Sequence, residues 1–331
     1  MSEGYWRMYE NIRVGVLGCA KIAERFLIPA FQSSNEFDLI GIASRNQNTA
    51  NKFAEKFLIK SFESYDSMLA SNCIDAVYIP LPNSLHYEWI RKSLEMNLHV
   101  LVEKSMACSY DDVLELTELA QQKKLVLLEN FQFRFHSQLA YIKSLVSNGK
   151  IGEIRNIRSS FGFPPFPNLE NIRYKKNLGG GALLDAGAYP LKIAQMFMSN
   201  NIYIASSNLF LDKAHGVDTF GSFQINDSES NITAQCAFGF DNFYQCNIEL
   251  WGSKGKVSAN RIFTSPPGYA PTISIQSADR DLSFAVAPDD HFKNMLLHFH
   301  NLITSGNGLE DEHKQNLRQA YLLQQIRDEN R

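Results

Sequence analysis

The chain has 331 residues, and its 32 basic and 35 acidic side chains leave a formal charge of -3. Apolar residues make up 44% of the chain and charged residues 20%, which is ordinary for a folded globular protein. Because the basic residues are scattered, the charge pattern argues against a surface for nucleic acid or for an anionic membrane. The length favours two domains with a core each, and the expected partner is a small molecule.

The cysteines and the N-terminus indicate where the protein works. Five cysteines are odd in number, lie far apart and form no C-x-x-C pair, which argues against a disulfide framework and against a zinc site. The N-terminal segment carries charges of both signs without an apolar core for export, and no run approaches the length that spans a bilayer. We therefore expect a cytoplasmic protein with no targeting segment, no membrane partner and no metal.

The first part of the chain alternates short apolar runs with longer amphipathic ones. From Ile12 to about Leu128 the strand-like runs are IRVGVL, DLIGIAS, DAVYIP, LHVLVEK and LVLLE, and helical patterns lie between them. Strands that alternate with helices predict a parallel sheet with crossover connections. We assign residues 1–128 to this α/β domain.

After about Asn130 the sequence becomes rich in glycine, proline and aromatic residues. The runs GEIRNIRSSFGF, SNITAQCAFGF, FYQCNIELWGS and GKVSANRIF predict antiparallel strands, and two helical patterns, DDHFKNMLLHFHNLI and EDEHKQNLRQAYLLQQIRDEN, close the chain. Residues 129–331 are therefore expected to form an α+β domain with a large, mostly antiparallel open sheet, whose C-terminal helix is able to pack back on the first domain. A bare sheet face favours a homo-oligomer, either a dimer or a tetramer.

A small-residue loop follows the first strand. Its pattern over residues 18–23 is G-x-A-x-x-A, at the place where a dinucleotide-binding fold turns tightly and lays pyrophosphate on a helix N-terminus. Alanine is small enough for close approach of the backbone, although an ordinary strand-to-helix turn has the same local pattern. The position at the start of several β-α units favours the cofactor. The candidate residues are Gly18, Cys19, Ala20, Lys21 and Ile22.

The end of the second strand predicts which dinucleotide is bound. An NAD enzyme commonly has an acidic residue here to bind the two ribose hydroxyls, but this chain has Ser44 and Arg45. A guanidinium beside a hydroxyl suits a 2′-phosphate. We expect NADP(H), with Arg45 as the main discriminator, and the alternative is that Arg45 is simply solvated.

Two further stretches complete a set of motifs. They are IPLPNSLH at 79–86 and LVEKS at 101–105, each after a strand. With the glycine loop and GGGALLDAGAYP at 179–190, they resemble the glucose–fructose oxidoreductase/inositol dehydrogenase/MocA (Gfo/Idh/MocA) family over most of the chain. Together with ENFQFRFH, IELWGSKGKV and DDHF, the set is most similar to the sugar-nucleotide 3-ketoreductases of deoxysugar biosynthesis. The resemblance implies an N-terminal Rossmann NADP-binding domain.

Lys104 lies at the carboxyl end of an apolar strand, the edge at which open α/β sheets bind ligands. There it can bind a substrate oxygen and stabilise negative charge that develops on it. The resemblance implies that this lysine, from an E-K-P motif, lies beside the nicotinamide, although Ser105 replaces the proline. The resemblance also implies that residues of these motifs contact the cofactor, namely Leu81, Asn83, His86, Glu103 and Lys104. For His86, packing without cofactor contact is an equal alternative.

Asp185 and Tyr189 are polar residues in an otherwise apolar run. Four residues apart on a helix they share a face, and Pro190 requires that the helix either kinks or begins nearby. Reduction of a ketone needs a proton donor within reach of the oxygen, and tyrosine serves if a cation lowers its pKa of about 10. We expect Tyr189 to donate the proton, Lys104 to be that cation, and Asp185 to orient the phenol or bind a sugar hydroxyl. The preceding glycines fit either a flexible loop with no ligand nearby or a close approach of the backbone to substrate.

The remaining substrate contacts are implied by the resemblance, because the family binds substrate between the nucleotide domain and the open sheet. A nucleoside diphosphate also needs cations and an aromatic surface. Arg173, Lys175 and Lys176 add possible cations, although most such side chains are simply exposed. The candidates for substrate binding are Asn130, Gln132, Arg134, Phe163, Tyr174 and Asp185.

Three alternative functions are compatible with these residues. The first is NADPH-dependent reduction of a keto group, at C-3, of a deoxysugar carried on a nucleoside diphosphate. The second is NAD(P)-dependent oxidation of a free sugar, polyol or dihydrodiol, with Tyr189 as the base. The third is a cofactor-binding protein without catalysis, because a fold alone does not establish chemistry. The residues name neither the sugar nor the nucleotide.

Overall fold

A computed structural model describes residues 11–168 and 170–330. Residues 1–10, for which the sequence predicts no targeting signal, lie outside the described residues. The described chain divides into two compact units. One runs to Asn130 and includes Phe292–Ala320, and the other comprises Phe131–His291 and continues from Tyr321. The division falls two residues after the predicted boundary because the last strand of the first sheet continues to Asn130.

The first unit contains a parallel sheet of six strands. They are β1 (Ile12–Leu17), β2 (Phe37–Ala43), β3 (Lys60–Phe62), β4 (Ala76–Ile79), β5 (His99–Glu103) and β6 (Leu127–Asn130). Their order is β3-β2-β1-β4-β5-β6, and every neighbouring pair is parallel. The short edge strand β3 has no counterpart among the predicted runs, because three residues are too few to show a period.

Helices connect these strands. A π-helical turn at Ala23–Leu27 continues as α1 (Ile28–Gln32), and α2 (Gln47–Phe57), α3 (Tyr65–Leu69), α4 (Asn83–Glu95) and α5 (Tyr110–Lys123) follow. Side chains cap three of them: Asn46 accepts from Thr49 N, Ser64 from Ser67 N and Ser109 from Asp112 N. A buried apolar cluster that includes Val77, Val100 and Leu116 lies between sheet and helices, so the expected α/β domain is confirmed.

The second unit is organised around a sheet of eight strands. They are β7 (Ile154–Gly162), β8 (Ile202–Asp212), β9 (Val217–Asp227), β10 (Thr233–Gly239), β11 (Gln245–Gly252), β12 (Gly255–Asn260), β13 (Thr272–Ser277) and β14 (Arg280–Ala285). Their order is β14-β13-β12-β11-β7-β10-β9-β8. Only β7 and β10 pair in parallel among them, which confirms the mostly antiparallel sheet.

The other helices are α6 (Ser137–Ser147), α7 (Ala188–Gln195), α8 (His291–Ser305) and α9 (Leu309–Asp328). α7 packs on β10, where Cys236 Sγ donates to the Pro190 carbonyl at 3.6 Å. Within the described residues, no helix combines the length and the apolar character that crossing a bilayer requires. The same residues include no group of three or more His, Cys, Asp or Glu side chains that could hold a metal ion.

Candidate active site

The loop after β1 has the geometry of a tight turn under close packing. Gly18 has φ +121°, a conformation that side chains rarely adopt, and a Cβ added there would lie 2.8 Å from Leu81 Cδ2. Its backbone N–H donates to the Ala43 carbonyl at 2.9 Å. Cys19 and Ala20 follow, and the chain is helical from Lys21 onwards with Ile22 as its second residue. Glycine is therefore required here, and the backbone N–H groups of a helix start come directly after it.

The end of β2 lies against this loop. Ser44 is buried, whereas Arg45 is exposed, and the pKa of the Cys19 thiol is raised to about 11, mainly by burial, which a hydrogen bond to Ser44 partly opposes. Tyr65 also lies beside Ser44 and Arg45. Burial raises the pKa of its phenol, and hydrogen bonds with the Arg45 backbone and the Ser44 side chain lower it. The sequence did not single out Tyr65, whose only local sign is its place at the start of α3, after the neighbouring strand β3.

His86 connects the loops that follow β4 and β5. Its ring is fully buried, with Nδ1 2.8 Å from the Ser105 carbonyl oxygen and Nε2 2.7 Å from the Leu81 carbonyl oxygen. Burial lowers the pKa of the imidazole to about 4, and the Lys104 charge acts in the same direction. Asn83 begins α4 one turn earlier. In this arrangement His86 packs and ties the two loops together.

Lys104 directly follows β5, and the peptide bond between Lys104 and Ser105 is cis. The carboxylate of the preceding Glu103 accepts from Tyr78 Oη and from Asn130 Nδ2, both at 2.7 Å, and burial raises the pKa of Glu103. Asn130 is itself buried, and its Oδ1 has no hydrogen-bond partner among the described residues. An amide oxygen left in this state favours a ligand that donates to it.

The structure brings all the candidate residues of the first unit to one edge of the sheet. Parallel strands share their carboxyl ends, so the loops after β1, β2, β4 and β5 and the last residue of β6 lie along that edge. The glycine turn at Gly18 and the Ser44–Arg45 pair fit a dinucleotide, with a close approach for pyrophosphate and a cation for a 2′-phosphate. Asn130, which the sequence predicts to bind substrate, presents at the same edge an Oδ1 that can accept a hydrogen bond from a ligand. Sequence spacing alone could not show that Tyr65 joins them.

Tyr189 lies in the second unit, inside a cage of aromatic rings. Its centroid is 5.6 Å from that of Phe131, 5.8 Å from Phe133, 5.0 Å from Phe161 and 5.4 Å from Phe263. The residue is 8% exposed. Such packing holds the ring in one orientation. Phe131 and Phe133 come from the ENFQFRFH stretch, but Phe161 and Phe263 come from two other segments, so no single sequence motif could identify the cage.

The segment before Tyr189 is a π-helical turn at Leu183–Gly187, in which the Ala188 N–H reaches the Leu183 carbonyl. α7 then begins at Ala188, two residues before Pro190, and the helical residues continue without a break from the π-helical turn through the proline. The π-helical turn, and not a new helix start, therefore precedes the residue that lacks an N–H. Asp185 lies within the π-helical turn and pairs with Arg173 Nε at 2.5 Å.

The glycine run before this helix allows two close backbone approaches. A Cβ on Gly180 would lie 2.4 Å from the Arg173 carbonyl oxygen, and one on Gly181, where φ is +117°, would lie 2.3 Å from Asp218 Oδ1. Asp218 Oδ2 accepts from Leu183 N at 2.5 Å. These glycines therefore allow the chain to pack closely against itself, a role that neither interpretation of the sequence included.

The remaining candidates of the second unit have varied surroundings. Tyr174 is buried, its hydroxyl accepts from Phe166 N at 3.2 Å, and its ring packs on Phe240. Phe163 is linked to the Tyr189 cage through Phe161, with centroids 5.5 Å apart. Gln132 and Arg134 lie in the 3-10 turn Gln132–Phe135, where Gln132 is buried and the Arg134 guanidinium lies 5.1 Å from the Phe135 ring centroid.

Both halves of the chain match models of known protein families. Residues 12–131 match the oxidoreductase family with an NAD-binding Rossmann fold, and residues 139–258 match the GFO/IDH/MocA C-terminal domain. A dTDP-3,4-didehydro-2,6-dideoxy-alpha-D-glucose 3-reductase from Saccharopolyspora spinosa is 36% identical over 304 residues, which are 92% of this chain and 91% of the relative. An NADP(+)-dependent D-xylose 1-dehydrogenase from Haloferax volcanii is 30% identical over 88% of this chain and 89% of its own length.

A solved structure agrees over nearly the whole length. It is that of a 3-ketoreductase from Actinomadura kijaniata in complex with NADP and TDP-benzene, which is 36% identical and superposes with a TM-score of 0.93 over 96% of this chain and 97% of that one. Sequence and fold agree on the relationship. The chain therefore belongs to the Gfo/Idh/MocA family of NAD(P)-dependent oxidoreductases.

Proposed function

We propose that the protein is an NADPH-dependent reductase of a keto group, at C-3, of a deoxysugar carried on a nucleoside diphosphate. The observation that carries this proposal is the full-length likeness to a 3-ketoreductase solved with NADP and TDP-benzene. The likeness to dTDP-3,4-didehydro-2,6-dideoxy-alpha-D-glucose 3-reductases over more than nine-tenths of the chain supports the same substrate class. In this proposal the first unit holds the dinucleotide and the second contributes the sugar-binding groups.

NADPH would be held by the edge of the first sheet. The turn at Gly18 and the N–H groups from Cys19 to Ile22 would bind the pyrophosphate, and Ser44 and Arg45 the 2′-phosphate. Leu81, Asn83 and Glu103 would border the rest of the cofactor, and His86 would keep the loops that carry Leu81 and Ser105 together. When bound, the cofactor supplies the hydride that adds to the carbonyl carbon.

The chain itself provides the proton and the charge for the oxygen. The Lys104 ammonium donates a hydrogen bond to the ketone oxygen and stabilises the negative charge that develops there. The Tyr189 phenol gives its proton to the same oxygen, so that the ketone becomes a secondary alcohol. Because its aromatic cage holds the ring, the phenol loses little entropy when it reaches the reactive orientation. Gln132, Arg134, Phe163, Tyr174 and Asp185 are proposed to border the sugar nucleotide.

A substrate panel tests this function. The purified protein would be assayed for NADPH oxidation with freshly generated dTDP-3,4-didehydro-2,6-dideoxyglucose, with dTDP alone and with D-xylose, and for NADP reduction with D-xylose. We expect turnover only with the nucleotide-linked ketosugar. Turnover with D-xylose alone would instead support the second function, for which the D-xylose dehydrogenase likeness argues. Absence of hydride transfer with every compound would favour the cofactor-binding protein without catalysis.

Arg45→Ala is expected to reduce the preference for NADPH over NADH by about 10- to 100-fold, because a charge-assisted hydrogen bond to the 2′-phosphate contributes about 1.5 to 3 kcal/mol. The measurement is the ratio of kcat/KM with the two cofactors. Arg91→Ala is the matched control, since Arg91 is an exposed arginine of the same unit that pairs with Glu95 and Glu115. An unchanged ratio in Arg45→Ala would mean that Arg45 is only solvated.

We also propose that the protein is a homo-oligomer built on one face of the second sheet. A row of aligned polar residues crosses that face, Ser206–Gln224–Gln235–Arg158–Glu249, and Tyr203 and Trp251, which lie on it, are 47% and 52% exposed. Sedimentation equilibrium tests the proposal, with a dimer or tetramer expected; a monomer at micromolar concentration would contradict it. None of the five cysteines forms a disulfide in the described part of the chain, which supports a reducing, cytoplasmic location.

A further inference from the structure

Arg173 forms a short ion pair next to the proposed proton donor. Its Nε lies 2.5 Å from Asp185 Oδ2, and the two side chains are 34% and 13% exposed. The guanidinium carbon also lies 4.7 Å from the centroid of the Phe166 ring. The arginine is therefore held on one side by a carboxylate and on another by an aromatic ring, which is a defined position for a long side chain.

The backbone around Arg173 is fixed as well. Arg173 lies in the 3-10 turn Ile172–Tyr174, and its carbonyl accepts from Gly181 N at 3.0 Å. Gly180 passes so close that a Cβ would lie 2.4 Å from the same carbonyl oxygen. The glycine run thus ties the turn that carries Arg173 to the helix that carries Asp185 and Tyr189.

The charges of the pair act on Tyr189. Asp185 precedes Tyr189 by four residues on one helical segment, so the two side chains project from the same face. The pKa of the Arg173 guanidinium is raised first by the Asp185 carboxylate and also by the charge of Tyr189 when it is ionised. By reciprocity, the guanidinium favours the ionised phenol. A carboxylate alone in this place would oppose ionisation.

Other titratable groups of the second unit face the same region. Lys192 is buried on α7, and its Nζ lies 5.3 Å from the centroid of Phe131, a member of the cage. Asp218 from β9 caps the start of the π-helical turn, and burial raises the pKa of its carboxyl. Cys236 from β10 bonds to Pro190, and burial raises the pKa of its thiol. The other rings of the cage carry no charge.

We propose that Arg173 is a positioning residue that neutralises the Asp185 carboxylate beside Tyr189, so that the phenol can exchange its proton during the reaction. The role of Arg173 in the reaction rests on the proposed function, whereas its electrostatic effect on Asp185 and Tyr189 exists without substrate. It assigns Arg173 to the tyrosine and not to the phosphates of the substrate. Asp185 then holds Arg173 in place, and the guanidinium offsets the effect of the Asp185 charge on Tyr189.

Titration of Tyr189 itself tests the proposal without any substrate. The protein is labelled with a stable carbon isotope at tyrosine Cζ, the Tyr189 signal is assigned by its loss in Tyr189→Phe, and its shift is followed against pH by NMR. Arg173→Met should raise the titration midpoint by about 1 to 2 pH units, and Asp185→Asn should lower it, since a nearby charge moves a pKa by amounts of this order. The double variant Arg173→Met/Asp185→Asn should return close to the wild-type midpoint, and Arg173→Lys should retain it.

Opposite shifts that cancel in the double variant are not expected from a merely structural role. Unchanged midpoints in the single variants, or shifts of the same sign, would overturn the proposal. If Arg173→Met does not fold, Asp185→Asn remains decisive, because a midpoint that does not fall would overturn the proposal by itself. Failure of the proposed function is a separate result, namely no turnover of the nucleotide-linked ketosugar by a wild-type protein in which Tyr189 titrates as described.

Discussion

Tyr189→Phe is expected to lower kcat for ketone reduction by about 100- to 10,000-fold, the range that loss of a positioned proton donor produces. The ring remains, so its contacts with Phe131, Phe161 and the other cage members are kept. We therefore expect NADPH affinity, measured by fluorescence titration, and the thermal midpoint to stay close to the wild-type values. Steady-state kinetics with the nucleotide-linked ketosugar provide the measurement.

The control is Tyr141→Phe, which removes the hydroxyl of a tyrosine on α6 that packs on Phe284 and is not part of the cage. It should keep wild-type kcat.

Lys104→Met is expected to reduce kcat by a factor similar to that of Tyr189→Phe. The double variant should reduce kcat by little more than either single variant, because the effects of two residues that act on one carbonyl oxygen are not additive. Full turnover by a folded Tyr189→Phe, or strictly multiplicative losses, would contradict the mechanism.

Gly181→Ala is expected to destabilise the second unit by about 2 to 4 kcal/mol, through backbone strain and through overlap with a carboxylate. The φ of +117° disfavours any side chain, and the added Cβ would lie 2.3 Å from Asp218 Oδ1. Asp218 would have to move, and it would then lose its hydrogen bond to Leu183 N at the start of the π-helical turn. Urea unfolding followed by circular dichroism measures the loss.

Gly149→Ala is the control for a positive φ without a close contact. Gly149 also has a positive φ, +69°, but nothing lies within 4 Å of an added Cβ, so we expect a loss of about 1 kcal/mol. The difference between the two variants measures the close approach together with the greater backbone strain at φ +117°. Equal losses would show that Asp218 moves freely and that the glycine run has no packing role.

Much of the fold was predictable because its signals are local. The strands β1, β2, β4, β5 and β6 are continuous apolar runs between amphipathic helices, the pattern of a parallel sheet buried on both faces. β8, β13 and β14 were missed because they lie at or near the edges of the second sheet, where polar residues such as Ser206 and Ser283 are exposed and weaken the alternation. β9 carries partly exposed polar residues between its buried ones and was missed for the same reason.

The motifs of the sequence were enough to identify the family and the fold class, and they predict Gly18, Arg45, Lys104 and Tyr189 as the residues for the chemistry. The surroundings of these residues became visible with the three-dimensional structure. It paired Arg173 with Asp185, packed the glycine run against Asp218 and enclosed Tyr189 in phenylalanines from three separate segments of the chain. Contacts of that kind depend on strand register and helix packing, which no local pattern encodes.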